Sequence, residues 1–101
     1  MIQYTVYRKR YAVYQNGGRM TGEQIRAART LVGWRVADLA EKSGVSVPTV
    51  QRLDATRGPV SGRFETVEAV RKALEGAGVQ FLDAGGVSVG PGVAMKPPAA
   101  D

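Results

Sequence analysis

The 101-residue chain contains no cysteine and no histidine. Without cysteine there is no disulfide framework, no thiolate nucleophile and no thiolate metal site. Without histidine the commonest metal ligand and the usual general base are missing. Catalysis would have to run on carboxylates, Lys, Ser or Tyr, and the sequence arranges none of these as a nucleophile with a base. The expectation is therefore a protein that is not an enzyme, with no catalytic residue, no metal site and no cofactor. No apolar run approaches the ~20 residues needed to span a bilayer, which argues against a membrane partner. The opening IQYTVYRKRY also lacks the uninterrupted apolar core of a signal peptide, so the expected location is cytoplasmic.

Acidic residues are missing where basic ones are dense. Residues 1–20 hold Arg8, Lys9, Arg10 and Arg19 without one acid, a charge of +4; residues 21–62 carry +2 and residues 63–101 carry −1. The net +5 thus lies in the first half of the chain, as a polyanionic partner would require. A composition 44% hydrophobic and 23% charged over this length suits one domain with a modest core.

The organising stretch is WRVADLAEKSGVSVPTVQRL, residues 34–53. Val36, Leu39 and Ala40 have the i, i+3, i+4 spacing of one apolar helical stripe. Gly44 stands where that helix must stop and the chain must turn. Val45 drops into the core, Ser46 suits an N-cap, and Pro48 is tolerated in a first helical turn that has no partner for its missing N–H. Val50 and Leu53 then face inward while Thr49, Gln51 and Arg52 face outward. Helix, glycine turn and a second helix with a polar outer face make a helix-turn-helix, a motif that commonly binds DNA.

On the N-terminal side, Thr21 and Gln24 form a T-x-x-Q capping box that opens a helix striped by Ile25, Ala28, Leu31 and Val32, ending at Gly33. On the C-terminal side a fourth helix runs from about Phe64 to Gly76, with Val67, Val70 and Leu74 inward and Glu68, Arg71, Lys72 and Glu75 outward. Glu68 and Lys72 are placed as an i, i+4 pair. Val79–Leu82 reads as a strand, and its partner lies in either Val87–Val89 or Gly92–Met95. Before the helices, Ile2, Tyr4 and Val6 alternate with polar neighbours and Tyr11 and Val13 follow the basic run, which reads as a strand or hairpin. An extension with little fixed structure is the alternative there. Residues 1–19 are thus a basic aromatic arm or strand, 20–78 the helix-turn-helix domain, 79–95 a hairpin and 96–101 a disordered tail.

Three other features take a plain reading. GGVSVGPG has neither the Lys-Ser/Thr nor the helix of a phosphate loop, and its glycines belong to turns. Glu65, Glu68, Glu75 and Asp83, among basic neighbours, form a solvated face and not an acid–base pair. Trp34, between two helices, is core packing and not a stacking platform.

Residues 21–56 resemble the Cro-like, or XRE-type, helix-turn-helix domains of phage repressors and bacterial regulators, through Arg29, Gly33-Trp34, Leu39-Ala40, Gly44-Val45-Ser46, Val50 and Leu53-Asp54. The tail AVRKALEGAGVQFLDAGG, with GPGV beyond it, resembles a small bacterial subgroup whose fourth helix leads into a GVxF strand. The resemblance implies a mostly α fold: a four-helix Cro/repressor-like domain with a C-terminal β-hairpin, beside the N-terminal strand read above. It implies a homodimeric regulator on double-stranded DNA, its third helix in the major groove. Val47, Pro48, Thr49 and Arg52 would then lie at the DNA with Gln51 nearby, Arg52 forking onto guanine and Thr49 on phosphate. Arg35 and Arg57 are implied phosphate contacts, and Arg29 with Asp54 an implied ion pair between the first and third helices. Val36 takes the place of a family glutamine that reaches DNA and is by that position an implied DNA-binding residue; there, and where Val47 and Pro48 replace polar residues, the chain departs from the family. Those apolar positions keep a second reading open: a protein-interaction module, an antitoxin or antiactivator, that uses the same scaffold on a protein partner.

Overall fold

In a computed structural model of the chain, residues 5–7, 11–13, 20–83, 85 and 88–97 are described. The arm contains two short strands, β1 (Thr5–Tyr7) and β2 (Tyr11–Val13), paired antiparallel with Tyr7 opposite Tyr11. The basic run Arg8-Lys9-Arg10, the expected Asn16-Gly17-Gly18 loop and residues 98–101 of the expected disordered tail lie outside the described residues. Four helices follow: α1 (Gly22–Leu31), α2 (Val36–Ser43), α3 (Val47–Ala55) and α4 (Phe64–Gly76). Strands β3 (Val79–Leu82) and β4 (Gly92–Met95) close the chain as an antiparallel hairpin, with Val79 opposite Met95 and Leu82 opposite Gly92. Of the two stretches open to the last strand, Gly92–Met95 takes it. The fold is mostly α, with four helices and a small C-terminal hairpin. No helix among the described residues is long and apolar enough to cross a membrane.

Helix boundaries follow the local chemistry read above. Thr21 Oγ1 accepts the Gln24 N–H at 3.1 Å and Gln24 Oε1 accepts the Thr21 N–H at 2.9 Å, which completes the capping box. Gly44 ends α2 at φ +75°, the left-handed conformation a side chain would resist. Ser46 Oγ accepts the Thr49 N–H at 3.4 Å and starts α3, with Pro48 in its first turn.

The expected stripes meet in one core: Ile25 and Ala28, Leu39 and Ala40, Val50 and Leu53, and Val67, Val70 and Leu74, closed by Met20, Val60 and Val79. Burial of each large member contributes roughly 1.5–3 kcal/mol. Leu31, expected in the α1 stripe, is instead 48% exposed. It sits on the rim of an open groove with Ala27 of α1 and Val93 of β4.

A two-stranded hairpin alone is marginal in water. Here β4 packs on α1 and β3 on α4. The buried Gln24 amide fastens both strands, its Nε2 donating to the carbonyls of Leu82 and Gly92 at 3.0 Å each. A second clip joins the start of α1 to the loop after α3. Gly22 N–H donates to Gly58 O at 3.0 Å, Gly58 N–H to Glu23 Oε1 at 3.0 Å, and Val60 N–H to Met20 O at 2.9 Å.

Of the α4 carboxylates expected on a solvated face, Glu65 is exposed and Glu75 partly exposed, but Glu68 departs from it. Glu68 is 7% exposed and is bonded to Arg71, not Lys72, with Arg71 Nε to Oε2 at 2.9 Å and Nη2 to Oε1 at 2.5 Å. Arg71 Nη1 also reaches Glu75 Oε2 at 2.6 Å. The reason is tertiary: α4 is packed against α2, β2 and β3, and a covered carboxylate needs a partner that satisfies it with hydrogen bonds.

Gly22 is buried where α1 crosses the end of α3, and a Cβ there would overlap the Thr56 carbonyl and lie 2.8 Å from Leu53 O. Gly22→Ala is therefore expected to lower stability by about 1–3 kcal/mol in urea unfolding; an unchanged midpoint would show that the two backbones can part at no cost. Hydrogen bonds from its own and the Gly58 backbone N–H hold the Glu23 carboxyl below its usual pKa, with a smaller contribution from Arg26 and Arg57. Because the folded value is the lower one, this contact stabilises above the unfolded pKa and is lost as pH falls through the folded pKa. In an NMR titration the Glu23 carboxyl and the Gly58 amide should shift with one shared, depressed midpoint. A Gly58 amide indifferent to that titration would refute the contact.

Candidate nucleic-acid interface

The α2–turn–α3 unit is held at both ends. Its apolar residues Leu39, Ala40, Val50 and Leu53 fix one side to the core. On the other side of α1, Arg29 grips Asp54 in a fork, Nε to Oδ1 at 2.9 Å and Nη2 to Oδ2 at 3.3 Å. The third arm of that guanidinium, Nη1, donates to the Trp34 carbonyl at 3.0 Å. One side chain thus pins the end of α3 and the start of the α2 segment to α1. With side-chain exposures of 19% and 13%, the pair is well shielded from solvent. Trp34 packs against the core as expected, and Lys42 Nζ lies 5.9 Å from its ring centroid, a cation over the π face.

The surface of α3 opposite the core begins with Val47 and Pro48, both exposed, on its first turn. Thr49 is half-buried, and its Oγ1 accepts the Ser46 hydroxyl at 3.0 Å, so its own O–H remains a donor. Gln51 and Arg52 are exposed on the next turn. The first-turn side chains and Gln51 therefore share one exposed helix, as expected from their spacing.

Arg52 is committed differently. Its Nη1 donates to the Ser61 carbonyl at 3.1 Å, and its Nη2 lies 3.3 Å from the position a Cβ on Gly62 would take. The guanidinium expected to fork onto a base is turned toward the α3–α4 loop and braces it. That loop carries Arg57 and Arg63, both exposed. Val36 is half-buried and packs against the core, so it serves the fold more than the surface. Arg35, preceding α2, projects outward with a side chain 87% exposed, and its backbone N–H donates to Asp38 Oδ2 at 2.8 Å.

Two contacts here have no trace in the sequence. The Arg52–Ser61 brace joins a helix to an irregular loop, where no periodicity operates. The second role of Gln24 depends on carbonyls 58 and 68 residues away. Arg29 and Asp54, by contrast, were legible through the resemblance.

Chemically, the arrangement offers a rigid, exposed helix with apolar first-turn side chains, a free hydroxyl donor and cations on the segments before and after it. No protein-family model matches the chain, and no curated protein matches it.

Removing Arg29 would leave the Asp54 carboxylate shielded and without its counter-charge, so Arg29→Ala is expected to cost about 3 kcal/mol in urea unfolding. The Arg29→Ala/Asp54→Ala double variant should lose less than the sum of the two single variants. Strict additivity would mean that the two groups do not interact.

Proposed function

We propose that the chain is a sequence-specific DNA-binding transcriptional regulator, acting in the cytoplasm as a homodimer on a pseudo-palindromic promoter site. The observation that carries this reading is the outer surface of α3, rigidly seated by the Arg29–Asp54 fork and flanked in the chain by the exposed Arg35, Arg57 and Arg63. The resemblance of residues 21–56 to Cro-like domains supports the same reading. In this reading α3 lies in the major groove with its first turn over the base edges. Arg35 and Arg57 meet phosphate, the Thr49 hydroxyl donates to a phosphate oxygen, and Val47, Pro48 and Gln51 face the bases. Arg52 acts one step back, holding the loop that carries Arg57 and Arg63.

One such domain makes few phosphate contacts. A two-fold pair supplies a second set and requires half-sites about 34 Å apart on one face of the duplex. No chemistry on the DNA is needed, since occupancy of a promoter changes transcription by itself. The exposed, apolar Val47 and Pro48 favour a second reading, in which the same surface docks on a protein as an antitoxin or antiactivator would. Salt separates the two: phosphate contacts weaken steeply as salt rises, whereas an apolar protein interface does not.

The test is a selection of purified protein against a random duplex library at near-physiological salt, with an inverted repeat as the expected product. Arg35→Ala should then weaken every recovered sequence about equally and reduce the salt slope by about one per half-site. A folded protein that enriches no sequence would turn the assignment to the protein partner.

A further inference from the structure

We infer that the first turn of α3 selects thymine, reading its C5-methyl group through Val47 and Pro48. The inference rests on the DNA-binding reading above and names the chemistry of its recognition.

The surface at the start of α3 is carbon. Val47, the first residue of the helix, is 40% exposed, and the exposed ring of Pro48 beside it carries no donor or acceptor. Two of the polar groups nearest this turn are already engaged. Ser46 Oγ accepts the Thr49 N–H at 3.4 Å and donates to Thr49 Oγ1 at 3.0 Å, so the capping hydroxyl is spent on the helix itself. Arg52 has one arm on the Ser61 carbonyl at 3.1 Å and lies against Gly62. Beside the Thr49 hydroxyl, which the reading above gives to phosphate, the first turn presents an isopropyl group and a pyrrolidine ring.

The charges on the segments before and after α3 point to the partner of that apolar knob. Arg35 before α2, and Arg57 and Arg63 in the loop braced by Arg52, are exposed cations, and the chain carries net +5. An apolar centre accompanied by cations complements a surface with methyl groups on its floor and phosphates along its walls. The major groove of duplex DNA has that character. Among the four bases only thymine presents a methyl group there, while guanine, adenine and cytosine present acceptors or donors. Carbon placed over those polar edges strips them of water and gives nothing back. Carbon placed over a thymine methyl removes apolar surface from water on both sides.

The test uses one random duplex library prepared in two forms, with thymine and with uracil in its place, which keeps base pairing and deletes only the methyl. The tightest thymine sequences should bind their uracil versions about fourfold more weakly for each methyl group that Val47 or Pro48 covers. Val47→Ala should bind the thymine form more weakly than the unmodified protein does, so that the thymine-to-uracil ratio falls toward one. Equal affinity of the unmodified protein for the two forms overturns the inference and leaves DNA binding standing, as does a Val47→Ala protein that keeps the full ratio. Binding to neither form at low salt overturns the DNA-binding reading, and the inference with it.

Discussion

The side-chain amide of Gln24 joins the cap of α1 to both strands of the C-terminal hairpin. Its oxygen accepts the Thr21 N–H and so completes the cap of α1, while its nitrogen donates to the carbonyls of Leu82 and Gly92. Those two residues face each other in the hairpin register, so one amide holds both strands where they diverge into the loop. A buried amide must have its donors and acceptor satisfied, and this one is satisfied only if cap and hairpin are both in place. The start of α1 is further committed by the clip to Gly58 and Val60 and by the close approach of Gly22 to Thr56. Three separate constraints thus converge on one helical turn, and the positions of the hairpin and of the α3–α4 loop both derive from it.

The same helix carries the link to the candidate interface. Arg29, two turns beyond Gly22, fixes Asp54 at the end of α3 and the Trp34 carbonyl ahead of α2. A helix anchored to the core along one side and at its C-terminal end can present its other side without rearranging. That rigidity is what precise contact with a groove demands, because a side chain displaced by an ångström misses its partner. The brace from Arg52 to Ser61 extends the same logic to the loop bearing Arg57 and Arg63. The arginine best placed by sequence to touch a base serves architecture, and Val47 and Pro48 are left as the prominent groups on the first turn.

Particular residues show how far the pattern could be followed. The capping box at Thr21, the turn at Gly44 and the start of α3 at Ser46 were legible because each depends on neighbours within four positions. The inward faces of all four helices were legible because apolar spacing is a local property of the helix. Leu31 fits the same spacing and is exposed on an open groove beside Val93, since what covers a helix face is set by segments distant in the chain. Glu68 fits a polar face and is buried, since burial depends on which distant segments pack against α4. In both cases the periodicity correctly described the helix and was silent about its neighbour.

The sequence by itself determined the helices, their caps and turns, the hairpin strand Val79–Leu82 and the concentration of positive charge in the first half of the chain. These are set by steric preference, hydrogen bonds between near neighbours and composition, all of which a linear string contains. Only the tertiary structure decided that Gln24 reaches both strands, that Gly22 must lack a side chain, that Glu68 pairs with Arg71 and that Arg52 turns to Ser61. Each of those depends on groups brought within about 3 Å by packing between distant segments, where burial and the requirement to satisfy every polar atom override the preference of any single residue.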